Sequence, residues 1–134
     1  MNMIDSIKKS YQRKENSKVL KSRFQEKNGF DKRVYESTTI TEKYPERVPI
    51  ICERICKNVP ELNRTKYLCP RDLSFANFMY VIRKRMKLEP EKALYLFVND
   101  KMIPCSKVLG EIYEKEKNVD GFLYIRYGGE TTFG

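Results

Sequence analysis

The chain has 134 residues, a length that suits one domain, and its 40% hydrophobic and 34% charged residues allow a core beneath a very polar surface. Lys and Arg number 27 against 18 Asp and Glu, and the resulting +9 favours acidic partners: membrane headgroups, acidic peptides or nucleic acid. With no histidine anywhere, Ser-His-Asp and Cys-His machinery cannot be built from this chain alone.

Residues 1–29 differ from the rest of the chain. They carry +5 of the net charge, through Lys8, Lys9, Arg13, Lys14, Lys18, Lys21, Arg23 and Lys27 against Asp5, Glu15 and Glu26. Met3, Ile4, Ile7 and Tyr11 fall at helical spacing, and Val19, Leu20 and Phe24 add a later turn. A solvated, partly disordered basic arm and an amphipathic surface-binding helix both fit, and the thinness of the apolar stripe favours the arm. The opening MNMIDSIKKSYQRK lacks the continuous apolar stretch of a secretion signal.

From Phe30 the pattern is globular. Residues 31–44 read as a helix with Val34, Ser37 and Ile40 along one side, and Pro45 and Pro49 bound a turn. Val48–Ile55 is a β-rich run with Pro49 near its start, where a missing N–H is tolerated. A loop at Asn58–Asn63 leads to a second strand, Thr65–Cys69, near enough to pair antiparallel with the first. Ser74 caps a helix reaching about Met86, in which Phe75, Phe78, Met79, Ile82 and Met86 form one apolar stripe. Arg83, Lys84, Arg85 and Lys87 crowd its C-terminal turn, where cations complement the helix dipole. Leu94–Val98 is a strand, Asn99-Asp100 a tight connection, and Met102-Ile103 a short further strand. Ser106 is placed to cap a last helix with Val108, Leu109, Ile112 and Tyr113. Phe122–Tyr127 is the final strand, and Gly128–Gly134 reads as a thin, glycine-bearing tail.

This order, with strand pairs around a central helix, predicts an α+β fold: a mixed sheet gripping one helix. No run approaches the length of a membrane-spanning helix. Cys52, Cys56, Cys69 and Cys105 have irregular spacing without CxxC pairs, so they read as reduced, mostly buried thiols of a cytosolic protein and not as a metal site. No phosphate-binding glycine motif is present, and no cofactor is expected.

Three chemistries compete for the remaining residues. Glu114, Glu116 and Asp120 cluster in a polar stretch among lysines and read as solvated helix ends, not as acid–base groups, so an enzyme is not expected. Nucleic acid is disfavoured as a specific partner, because the cations and tyrosines come without a recognised binding motif. A peptide-binding surface fits better. The strand Thr65–Cys69 can leave one edge open for an extended peptide, Lys66 and Leu68 face one side and Tyr67 and Cys69 the other, and Lys66 and Arg85 attract acidic flanks.

Long blocks then carry a resemblance: FDKR from residue 30, ERVPIICER at 46–54, TKYLCPRDL at 65–73, YVIRKRMKLEPEKALYLFVND at 80–100 and DGFLYIRYGGETTFG at 120–134. From Phe30 to Gly134 the chain closely resembles the autophagy-related ubiquitin-like modifiers, the family that includes the yeast autophagosome modifier and mammalian GABARAP. The resemblance implies a ubiquitin-like β-grasp with two additional N-terminal helices, the first near Phe24 and the second after Phe30. Residues 1–20 become a basic, mobile extension, residues 21–128 the folded unit, and residues 129–134 a flexible conjugation tail.

For function, the resemblance implies a non-enzymatic modifier passed between an activating and a conjugating enzyme and amide-linked through Gly134 to phosphatidylethanolamine. The protein would be cytoplasmic and monomeric when soluble, and on autophagosomes or related membranes once lipidated. In many relatives a cysteine protease removes residues beyond the glycine, and such a protease is an expected partner for processing or delipidation. Cargo receptors with an aromatic-x-x-aliphatic motif would dock as an added strand. The resemblance places their aromatic side chain among Glu36, Ile40, Pro49, Ile51, Lys66, Leu68 and Phe122. Their aliphatic side chain falls among Tyr67, Cys69, Pro70, Leu73, Phe78 and Val81, with Arg85 toward acidic flanks. Cys69 departs from the family, which usually has an aliphatic residue such as Val there, and the loop at Lys57–Val59 is about one residue shorter than in the yeast relative. Two alternatives stand beside this reading: the same conjugation serving non-degradative membrane or organelle maintenance, and a basic cytoskeletal or nucleic-acid-binding module.

Overall fold

A computed structural model describes residues 3–4, 20–57 and 59–129. The described elements are α1 (Arg23–Lys27), α2 (Phe30–Lys43), β1 (Arg47–Arg54), β2 (Lys66–Pro70), α3 (Phe75–Met86), β3 (Leu94–Val98), α4 (Leu109–Glu116) and β4 (Leu123–Gly129). The strands form one sheet in the order β2-β1-β4-β3, with β1 and β4 parallel and the two outer pairings antiparallel. This is the mixed sheet around a central helix, preceded by two helices, expected of a ubiquitin-like β-grasp.

Alternation along the strands sorts side chains to two faces. Val48, Ile50 and Cys52, Leu94, Leu96 and Val98, and Leu123, Ile125 and Tyr127 face one way and bury against Phe75, Phe78 and Ile82 of α3. The stripe read in the sequence is therefore the face that α3 presents to the sheet. Ser74 caps α3 by accepting the Asn77 N–H at 3.1 Å. On the opposite face Phe24 of α1 packs with Ile51 and Phe122, its ring meeting that of Phe122 edge-on at 5.2 Å.

α2 is fixed to this face by a polar cluster. Asp120 is 1% exposed and pairs with Arg33 at 2.6 Å, while Tyr124 donates its hydroxyl to the same carboxylate at 2.5 Å. Ser37, also buried, donates to the Asp120 carbonyl at 2.5 Å. Gly121 sits beneath Ser37 at φ 92°, where a Cβ would strike the serine hydroxyl.

Four local readings need correction. Asp120 is not a solvated helix end, because the chain after α4 turns inward and delivers it to Arg33 and Tyr124. Met102-Ile103 forms no strand; after the turn at Asn99 and Asp100, both at positive φ, only Lys101 bridges back to Val98. Ser106 does not cap α4, whose first N–H groups instead find Leu73 and Arg71 carbonyls through Leu109 and Gly110. Gly128 and Gly129, assigned to the tail, belong to β4 and pair with Tyr95 and Leu94. Most of the basic arm, Asn58 and residues 130–134 lie outside the described residues, so the expectations for the conjugation tail and Gly134 fall there too.

Candidate functional site: an open strand edge lined by a groove

β2 lies at one end of the sheet, with no strand beyond it among the described residues. The Cys52 N–H donates to the Thr65 carbonyl at 2.7 Å, which fixes the phase of the ladder. In the observed register, Ile50–Tyr67 and Val48–Cys69 are then hydrogen-bonded pairs, and Ile51–Lys66 and Pro49–Leu68 are not. The backbone groups of Lys66 and Leu68 therefore point away from β1, toward the open edge. Consistent with this, the outward Leu68 carbonyl accepts the Arg47 guanidinium at 3.4 Å.

Two sets of side chains flank that edge. On the α2 side stand Glu36 and Ile40, one helical turn apart, with Pro49, Lys66, Leu68 and Phe122. On the α3 side stand Tyr67 and Cys69, with Val81 and Arg85, again one turn apart. These ten residues, with Ile50 and Arg64, line a groove of about 430 Å³. The other four expected members sit around it. Ile51 is fully buried against Phe24 and Phe122 behind the first set. Phe78 is fully buried with its ring edge-on to Tyr67 at 5.9 Å. Leu73 packs half-buried on the core, and Pro70 is exposed at the end of β2. Arg64 was missed, although a cation just before an edge strand already carrying Lys66 was the available signal.

The groove is electropositive. Lys66 pairs with Glu36 at 2.5 Å on the α2 side, and because its side chain is 55% exposed this pair is readily exchanged for another carboxylate. The Arg85 guanidinium lies 5.7 Å over the Tyr67 ring. Burial raises the Tyr67 hydroxyl to about 12 and the Cys69 thiol to about 11, so both are neutral at physiological pH. Cys69 thus acts as a small apolar side chain and not as a nucleophile. Burial also raises the Cys52 thiol.

Glu114 and Glu116 are held as ionised partners of cations. A hydrogen bond from Arg71 holds Glu114 below the usual range, and one from Lys101 does the same for Glu116. Neither is raised toward neutrality, as a general acid would be. Among the described residues no three His, Cys, Asp or Glu gather as a metal site, and no helix is long and apolar enough to cross a membrane.

Comparison with known proteins decides the family. The sequence model described as "Autophagy protein Atg8 ubiquitin like" matches residues 32–134. The chain belongs to the Atg8 family. Autophagy-related protein 8 of Vanderwaltozyma polyspora is 48% identical over 116 residues, covering 86% of this chain and 98% of the yeast protein. Its counterpart in Schizosaccharomyces pombe is 47% identical, covering 86% and 96%. The crystal structure of Trypanosoma brucei ATG8 superposes with a TM-score of 0.79 at 41% identity, covering 86% of this chain and all of that one. This Atg8-family chain is accordingly an autophagy-related ubiquitin-like protein.

Proposed function

We propose that this chain is a non-enzymatic modifier, coupled through Gly134 to phosphatidylethanolamine and acting as a membrane-bound adaptor that recruits cargo receptors during autophagosome formation. The observation that carries the adaptor reading is the open β2 edge, lined by one groove to which both the α2 side and the α3 side contribute. A peptide added there takes its main-chain hydrogen bonds from Lys66 and Leu68 and drops alternate side chains toward α2 and α3. An aromatic residue three positions ahead of an aliphatic one matches that geometry, and Arg64, Lys66 and Arg85 suit acidic flanks. Coupling at the terminus rests on family membership and on the residue itself. A glycine without Cβ can pass a narrow enzyme channel and present an unhindered carbonyl. The activating and conjugating enzymes supply the nucleophilic cysteines, so the modifier needs none.

Calorimetric titration with a synthetic peptide carrying an acidic-flanked Trp-x-x-Leu core tests the adaptor reading. Binding is expected, with Arg85→Glu weakening it about tenfold and the loss shrinking as salt rises. Absence of binding, or an Arg85→Glu affinity equal to wild type, would remove the groove from the proposal.

A further inference from the structure

Tyr95 and Phe97 of β3 point away from α3, onto the sheet face where Phe24 of α1 packs with Ile51, Phe122 and Tyr124 in a cluster that leaves out both of these rings. An aromatic ring outside that cluster should be exposed, yet Phe97 is only 2% exposed. The residue packed on it is Ile4, itself 5% exposed and in helical conformation, in one cluster with Ile55 and Cys56 and with Tyr95 alongside. Ile4 stands well ahead of residues 32–134, which match the family, so this contact is an addition to the shared domain. The chain is tied down at the same place again. The Leu20 N–H donates to the Ile55 carbonyl at 2.8 Å, and Arg126, on the same face as Phe97, donates to the Leu20 carbonyl.

We infer that the outer face of β3 is an apolar docking surface, built by Ile55, Cys56 and Phe97, whose occupant is the chain's own N-terminal segment, inserted through Ile4. Ile4 is buried on the face while its neighbour Met3 remains 57% exposed, so the two described residues divide between docking and water. One branched side chain is a small anchor, so the contact opens at a lower free energy than the core and can act separately from it. Withdrawal of Ile4 uncovers Phe97 and its surroundings as an apolar patch on the face remote from α3. This inference does not depend on conjugation at Gly134 or on the β2 groove.

Cys56 is a built-in reporter. It is fully buried in this cluster, whereas Cys52 is fully buried in the main core and Cys105 is exposed. The full chain and its Ile4→Asp and Ile4→Leu variants would be treated with N-ethylmaleimide, and each cysteine followed by peptide mass. Cys56 should label about tenfold faster or more in Ile4→Asp, as expected for a local opening, and near the wild-type rate in Ile4→Leu. Cys52 should stay protected in all three, and Cys105 should react quickly throughout. Unchanged Cys56 labelling in Ile4→Asp would overturn the inference. So would equal acceleration of Cys52 and Cys56, since Ile4 would then belong to the global fold and not to a separable contact.

Discussion

Tyr67, Tyr124 and Tyr127 show how residues of one type serve different ends. Each is pushed by burial to about 12, with Asp120 adding to the shift at Tyr124 and Cys52 at Tyr67 and Tyr127. Tyr127 bridges the Pro60 carbonyl and the Leu62 N–H, Tyr124 completes the Asp120 cluster, and Tyr67 forms part of the groove. The folded protein keeps these protons where an unfolded tyrosine, near 10, has already lost them. Their contribution to stability is therefore fully present below pH 10 and lost as pH rises toward 12. Absorbance at 295 nm should show a late-titrating fraction in the native protein, Tyr67, Tyr124 and Tyr127 with Tyr113 also raised by burial, that disappears in urea, with the denaturation midpoint falling above pH 10. A single native step near 10 would contradict these assignments.

At the scale of elements, β2 joins fold to function. Its inward-pointing groups at Tyr67 and Cys69 hold it to β1, leaving those of Lys66 and Leu68 for a partner. Proline at position 68 removes an N–H that β1 does not use. Leu68→Pro should therefore weaken the Trp-x-x-Leu peptide clearly more than Leu68→Ala, while both keep the native strand content by circular dichroism. Equal losses would mean that the side chain matters and the edge does not. Most of this element was legible: the alternation of Lys66 and Leu68 with Tyr67 and Cys69, the stripe of α3 and the Ser74 cap are local patterns that the structure repeats. The sequence failed where partners are distant. Asp120 looks solvated beside lysines because its true partners, Arg33 and Tyr124, lie on other elements. Ser106 looks like a cap because the Leu73 and Arg71 carbonyls that satisfy the start of α4 arrive from another loop. Ile51 and Phe78 were expected to line pockets, but whether an apolar residue lines a groove or lies behind it depends on packing that its neighbours in sequence do not encode.

For the whole molecule, β4 sets the geometry. Phe122, just before it, lines the groove, and its seven residues run the length of the sheet to Gly129 beside Leu94. At about 3.3 Å per residue, roughly 20 Å separates the peptide groove from the point where the last described residue leads toward Gly134. The groove and Gly129, the last described residue before the proposed coupling site, thus lie at opposite ends of β4. The apolar face of β3 lies on a third side, closed by Ile4. Coupling at Gly134 is the step on which the proposed modifier role depends. Its most direct test is intact mass after incubation with ATP, cognate activating and conjugating enzymes and phosphatidylethanolamine liposomes. The wild-type chain should gain the mass of one lipid less water, and Gly134→Ala should gain none. No adduct on the wild type, with the enzymes active on another Atg8-family substrate, or equal adduct on both chains, would contradict conjugation through Gly134.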